Sequence, residues 1–502
     1  MADVDYTYGY YEHINPLRIP LAFLKAGIRP PRITTACELG FGQGVSINVH
    51  AVASEVSWHG TDFNPAQVAF ARELAQGTDS PPELEEAAFA QYCARDDLPD
   101  FDYVALHGIW SWISDDNRAT VIDFLRRKLK PGGVLYLSYN SLPAWSEFIP
   151  IRNLMLRHAQ SQSAGGLPLE AKIKSALEFA TQTIECSPAF RNTHPAVGER
   201  LKKMATQQAE YLAHEFFNAD WHPMDFASVA QSLQGAKIDF ACSATFFDYI
   251  DALQLSEEQR TLINSVRDPI LRETTRDLLL NQQFRRDYWV KGGRKIDPAS
   301  HSEAFLAQQV VLIRPKEDLS LSLKTSVGEA NLNAEVYQPI LDALQDYQAV
   351  TVEDLSRRLK GSGIKASQLL EALTVLCGAN YLAPAQRVRT TNIVKSCQAF
   401  NDQTLERAKN NNDQCILASP ITGGGCSTDR SERLFLLAIA QGKANQQEWA
   451  EFAVGILMGQ GQFIIEEGKT LRTKRENVAA MLKQAEIFAR KRLPVLKALQ
   501  SV

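Results

Sequence analysis

From residue 33 onward, short apolar runs alternate with longer segments whose apolar residues recur every three or four positions. "ITTACELG" predicts a buried strand, "SINVHAVASE" a helix, and "VSWHGTDFN" a second strand ending at Asp62. "PAQVAFARELAQG" predicts a helix with proline at its start and glycine after its end. "FDYVALHG" continues as a strand, "DDNRATVIDFLRRKLKPGG" as a helix closed by Lys, Pro and Gly, and "VLYLSYN" as a strand. Strands alternating with helices imply an α/β, Rossmann-like fold around a mostly parallel sheet. Ligands of such sheets bind beyond the carboxyl ends of the strands, where Glu38–Gly44, Asp62, His107 and Asn140 fall.

The pattern then changes. Residues 150–215 are helical and polar, broken at "SQSAGGLP". "DFASVAQSLQGAKIDFACSATF" returns to helix and strand, residues 251–283 are helical again, and "FRRDYWVKGG" reads as a late strand. Residues 1–300 are thus expected to form one sheet domain with helical insertions at about 150–215 and 251–283. In residues 301–502, "VYQPILDALQDYQAVTVEDLSRRLKGSGIKASQLLEALTVLCGANYLAPA" predicts three short amphipathic helices and an extended segment, a winged-helix-like module. The rest is read as mainly helical, without repeats.

The junction of the first strand and helix carries the chemistry. "TACELGFGQGVS" sets an acid, Glu38, before Gly40, Gly42 and Gly44. Glycine allows φ > 0 and removes the Cβ that would collide with a ligand. The spacing is G-x-G-x-G, not the G-x-G-x-x-G of dinucleotide sites, and no G-K-[ST] follows. A second acid, Asp62, ends the next strand, where it can accept hydrogen bonds from both ribose hydroxyls. A phosphate would avoid an acid beside the turn, so Glu38 favours a nucleoside ligand with a cationic end, such as S-adenosylmethionine.

Composition narrows the classes. Hydrophobic residues at 45% and charged residues at 22% fit a soluble globular protein, and 502 residues predict two or three domains. A net charge of −5 disfavours a nucleic-acid partner, although "LSRRLKGSGIK" is locally basic. No leader and no membrane span are read, and eight scattered cysteines without a C-x-x-C pair fit a reduced, cytoplasmic chain.

"CELGFGQGVSINVHA", "WHGTDFNPAQVAFAR", "LPDFDYVALHGIWSWIS", "PGGVLYLSYNSLPAW" and "YLAHEFFNADWHPMDFA" resemble class I S-adenosylmethionine-dependent methyltransferases carrying a methyltransferase regulatory domain. "NQQFRRDYWVKGG" and "LASPITGGGCSTDRSERLFLLAIAQG" extend the likeness over nearly the whole chain. Characterised members of this group are bacterial protein-lysine methyltransferases acting on outer-membrane proteins. The resemblance implies S-adenosyl-L-methionine as cofactor and a protein substrate, such as an outer-membrane protein precursor; a homodimer is left open.

By the same resemblance, Glu38, Gly40, Gly42 and Gly44 hold the methionine portion, Asp62 the ribose, and Phe63 the adenine. Where many relatives place an acid for the adenine amino group, this chain offers Ala88 and Phe89, with Glu86 or backbone groups as substitutes. His107 and Trp110 follow the fourth strand, where the methyl-transfer pocket lies, and they are the catalytic candidates. No [DN]-P-P-[FYW] motif stands there, so amide or adenine methylation is disfavoured.

Structural readings stand beside these. Glu38 and Asp62 could cap helices, His107 could bond a loop carbonyl, and Trp110 and Trp112 could be packing residues. Tyr6, Tyr8, Tyr10 and Tyr11 form a lid or a surface strap. Tyr211, His214, Glu215, Trp221 and His222 read as a structural cluster, with no metal expected, and Thr422–Cys426 as a turn. Protein-lysine methylation leads, ahead of methylation of a small molecule or surface glycan and of a non-catalytic cofactor-binding protein.

Overall fold

The computed structural model describes residues 8–161, 168–387 and 389–502. Tyr6 and most of the "SQSAGGLP" break lie outside the described residues.

Seven strands form the central sheet: β1 (Thr35–Leu39), β2 (Ser57–Asp62), β3 (Glu83–Glu86), β4 (Phe101–Leu106), β5 (Leu129–Asn140), β6 (Ile238–Ser243) and β7 (Phe284–Lys291). Their order is β3-β2-β1-β4-β5-β7-β6. β1 to β5 run parallel, and β7 lies antiparallel between β5 and β6. This is the α/β sheet that the resemblance led us to expect. The chain leaves β1 toward β2 on one side and returns to β4 on the other, which opens a crevice above the carboxyl ends of β1 and β4.

β1 is buried except at its first residue, as befits a central strand covered on both faces. β3, "ELEE", is a polar edge strand without an apolar face, so periodicity alone did not reveal it. Between β5 and β6, five helices from Ile149–Ser161 to Ala209–Phe216 gather around their own core of Trp145, Phe148, Met155, Leu201 and Trp221. Between β6 and β7, the helix Pro269–Leu280 is bound to β7 by a buried ionic cluster. Arg285 pairs there with Asp277 at 2.6 Å, Asp287 at 2.8 Å and Glu273 at 3.0 Å.

Downstream lie β8 (Gln309–Leu312), the hairpin of β9 (Ser322–Thr325) and β10 (Gly328–Asn331), β11 (Val350–Thr351) and β12 (Leu382–Ala385). Helices Ala334–Ala343, Val352–Arg358 and Ala366–Gly378 are the three expected. The winged-helix reading is not confirmed: β12 pairs with β8, which precedes the first helix, and among the described residues no other strand pairs with β12. That third helix buries Leu373, Val375 and Leu376.

Residue 300 falls inside the helix Pro298–Leu306. The apolar core runs across it, joining Tyr103, Tyr136 and Tyr288 of the sheet to Phe305, Val310, Leu312 and Leu376. Further on, β13 (Ile416–Ser419) and β14 (Gly424–Ser427) form a hairpin that receives the N-terminal segment. The Gly425 amide donates to the Tyr10 hydroxyl at 2.8 Å, and Asn15 Nδ2 donates to the Thr422 carbonyl at 3.0 Å. A Cβ on Gly424 would lie 2.6 Å from the Tyr10 hydroxyl, so glycine here makes room for the strap. Among the described residues no helix is long and apolar enough to cross a membrane.

Candidate active site

The turn after β1 holds Gly40, Gly42 and Gly44 at φ of 75°, 59° and 70°, a region that side chains with a Cβ rarely occupy. Each glycine has a separate task. A Cβ on Gly40 would stand 2.6 Å from Ile109 Cδ1, and both residues line a cavity of about 620 Å³. The Gly42 amide donates to Asp62 Oδ2 at 2.9 Å. Gly44 begins the helix Val45–Val52, and a Cβ there would lie 2.5 Å from Ala71 Cβ. Gly40 and Gly42 line the cavity, whereas Gly44 serves helix packing.

Asp62 does not cap a helix. The cap of Pro65–Leu74 is Asn64, whose side chain accepts from the amides of Ala66 and Gln67. Asp62 is buried, with Oδ2 on the Gly42 amide and Oδ1 accepting from the Asn64 amide at 2.9 Å. Burial raises its carboxyl above the usual range while the amides of Asn64, Gly42 and Phe63 pull the other way. Glu38 is 2% exposed and lines the same cavity, and its Oε2 has no hydrogen-bond partner among the described residues. Burial, then the charge of Asp62, pushes its carboxyl up to about 8. An orphaned buried acceptor costs about 1–3 kcal/mol, so a cationic ligand group placed beside it would relieve that cost.

Phe63 is 69% exposed at the cavity edge. Ala88 and Phe89 line the wall after β3, with the Ala88 amide donating to Gln91 Oε1 at 3.2 Å. Glu86 is exposed and is not part of the cavity.

His107, at the end of β4, shares a hydrogen bond of 2.8 Å between Nδ1 and the Tyr136 hydroxyl, not a loop carbonyl. Its ring stacks on Tyr11 with centroids 3.7 Å apart. Burial, aided by Arg286, lowers its pKa to about 3, so it is a neutral imidazole at pH 7. Trp110 is a correction: it is fully buried in the core beneath β4 and does not reach the cavity. Two residues further along the 3₁₀ turn, Trp112 takes the position on the cavity wall.

The sequence reading missed Gly9, Asn64, Gln67, Asn218 and Asp220, whereas Tyr11, one of the tyrosines read as a lid or strap, reaches the cavity. Gly9 and Tyr11 bring the N-terminal strap to the cavity, while Tyr10 and Tyr8 face other neighbours. Asn64 and Gln67 line it beside Asp62. The expected structural cluster divides: Trp221 lies in the insertion core, but His214 and Glu215 join Asn218 and Asp220 on the cavity. The signal was there in "YLAHEFFNADWHP", which carries the family resemblance but was not read as site-forming. Among the described residues, Glu38, Asp62, Glu215 and Asp220 line the cavity and no Lys or Arg does. The site is built for positive charge.

Comparison with known proteins bears on the fold and the family. The family described as "Methyltransferase domain" matches residues 36–133, and "Predicted methyltransferase regulatory domain" matches residues 208–291. An uncharacterized protein of Synechocystis sp. is 37% identical, covering 98% of this chain and 97% of its own. A second relative, from Rickettsia prowazekii, is 26% identical over 43% of this chain and 85% of its own. Among solved structures, PKMT2 from Rickettsia typhi in complex with AdoHcy has a TM-score of 0.67 at 16% identity, covering 99% of both chains.

Proposed function

Because this chain belongs to the S-adenosylmethionine-dependent methyltransferases that carry a methyltransferase regulatory domain, we propose that it methylates lysine side chains of protein substrates, such as outer-membrane protein precursors, in the cytoplasm. The observation that carries the acceptor reading is the cavity's charge: four carboxyls, with no Lys or Arg. One cation belongs to the cofactor and leaves acidic lining for a second, the acceptor amine.

The cofactor, when bound, supplies a methyl group on a sulfonium to a nucleophile aligned behind it. The residues present fit it. Glu38 takes the ammonium of the methionine portion with its unpaired Oε2. Gly40 and Gly42 let the backbone approach. Asp62, held in place by two amides, accepts from the ribose hydroxyls, and Phe63, Ala88 and Phe89 provide apolar surface for the adenine.

On the acceptor side, a lysine amine has an unperturbed pKa of about 10.4 and must lose a proton before it reacts. The rings of Trp112 and Tyr11 on the cavity wall can hold the ammonium and its methylated products, each contact contributing about 0.5–2 kcal/mol. Neutral His107 leaves one more cation out of the site, which favours both positively charged ligands. Incubation with methyl-labelled cofactor and purified outer-membrane proteins, followed by mass spectrometry, tests the reading. Label on lysine side chains supports it; label only on carboxylates or sugar hydroxyls overturns it.

A further inference from the structure

We propose that Glu215, contributed by the regulatory-domain segment, is the group that receives the acceptor amine: its carboxylate binds the ammonium and takes its proton. This rests on the lysine reading above. Among the described residues four carboxyls line the cavity. Asp62 has both oxygens engaged by backbone amides. Glu38 sits at the glycine turn, on β1. Asp220 is half-exposed, with Oδ1 3.4 Å from His222 Nε2. Glu215 differs from all three. It is half-buried on the helix Ala209–Phe216 and lines the cavity with Trp112. Among the described residues its carboxylate makes no hydrogen bond and no ion pair.

Its surroundings suit a proton acceptor. Arg200 is the cation that acts on it, and that guanidinium lies over the rings of Trp145 and Phe148 at 4.1 and 5.3 Å. Among the described residues, Tyr211 and His214 stand on its own helix, Asp220 lies beyond it, and Glu147 acts on the same Arg200. Burial, opposed by Arg200, pushes its carboxyl up to about 7. A base with a pKa near the working pH is both available and able to accept a proton. Holding the helix in register, Trp112 Nε1 donates to the Glu215 carbonyl at 3.5 Å. The aromatic wall and the carboxylate are thereby tied together.

The step balances simply. An N–H bond of the ammonium breaks, its electron pair stays on nitrogen as the lone pair, and the proton forms an O–H bond on Glu215. The proton then leaves to water at the half-exposed side of the cavity. The neutral amine is the nucleophile that methyl transfer requires.

The test is Glu215→Gln, which keeps size and removes the charge, in the full chain. Calorimetric titration with AdoHcy should give affinities within twofold of each other. Titration of the AdoHcy-loaded protein with n-butylammonium chloride, a mimic of the lysine side chain, should bind at least tenfold more weakly in the variant. Turnover on a lysine-containing acceptor should fall about 100-fold or more, as for a lost general base, with partial rescue in Glu215→Asp. Equal n-butylammonium affinity in the two proteins, or unchanged turnover on lysine, overturns the role of Glu215 and leaves the lysine reading standing. Methyls placed on carboxylates or sugars overturn the lysine reading, and this role with it.

Discussion

The ring of Tyr11 lies stacked on that of His107, centroids 3.7 Å apart and planes 28° from parallel. Through this contact the N-terminal segment closes one side of a cavity that the sheet leaves open. Tyr11→Ala should weaken AdoHcy binding by about 0.5–1.5 kcal/mol, the worth of one aromatic pair, with little change in melting temperature. Equal affinities by calorimetry would show that the strap is no part of the binding wall.

Glu38 makes binding depend on pH. In the free protein its carboxyl is pushed up to about 8, and a cationic ligand binds the ionised form. The bound protein therefore has the lower pKa, and binding releases a proton below pH 8. Affinity should fall as pH drops through that value, by up to about tenfold per unit. Glu38→Gln should bind more weakly at pH 8 and lose the slope. A flat wild-type profile between pH 6 and 8, measured by calorimetry, would refute the pairing.

Asp62 and Gly44 separate binding from folding. Asp62→Ala should cost about 1–3 kcal/mol of AdoHcy affinity, as for a lost buried polar contact. Gly44→Ala should act on stability instead, because its Cβ meets Ala71 at 2.5 Å and its φ is +70°. A loss of about 1–3 kcal/mol in urea unfolding is expected. Unchanged stability would mean that the two helices can separate at no cost.

The two tryptophans of the turn after β4 should behave oppositely. Trp110→Ala removes a fully buried side chain and should lower stability by about 3–5 kcal/mol. Trp112→Ala should leave stability nearly intact and AdoHcy affinity within a few fold, while turnover on a protein acceptor drops at least tenfold. Steady-state kinetics beside denaturant melts will tell them apart, and equal turnover in Trp112→Ala defeats the assignment.

A fragment of residues 1–300 should not hold together. It strips Phe305, Val310, Leu312 and Leu376 from the face that carries Tyr103 and Tyr136. Near-UV circular dichroism should show lost tertiary packing. A native-like spectrum with cofactor binding would restore the domain boundary at residue 300.

What could be read from the chain alone followed how local each feature is. The glycine turn, Asp62 and the alternation of strand and helix are written within a few residues, because φ > 0 and side-chain period act locally. Trp110 and Trp112 were indistinguishable, since one turn of a 3₁₀ segment decides which ring faces the cavity. Glu215 read as part of a structural cluster, because nothing local shows that its helix lines the cavity. Neither the third partner strand β8 nor the bond between Tyr10 and Gly425 has a local signature; the latter joins positions 415 apart.

That last bond sets an order in time. A ribosome adding about 5–20 residues per second separates Tyr10 from the hairpin that fastens it by roughly 20–80 s. Throughout this interval the wall carrying Tyr11 is held on the sheet side, through the Tyr11 amide on Ser46 Oγ at 2.8 Å and the ring on His107. The hairpin is the last fastening the strap receives.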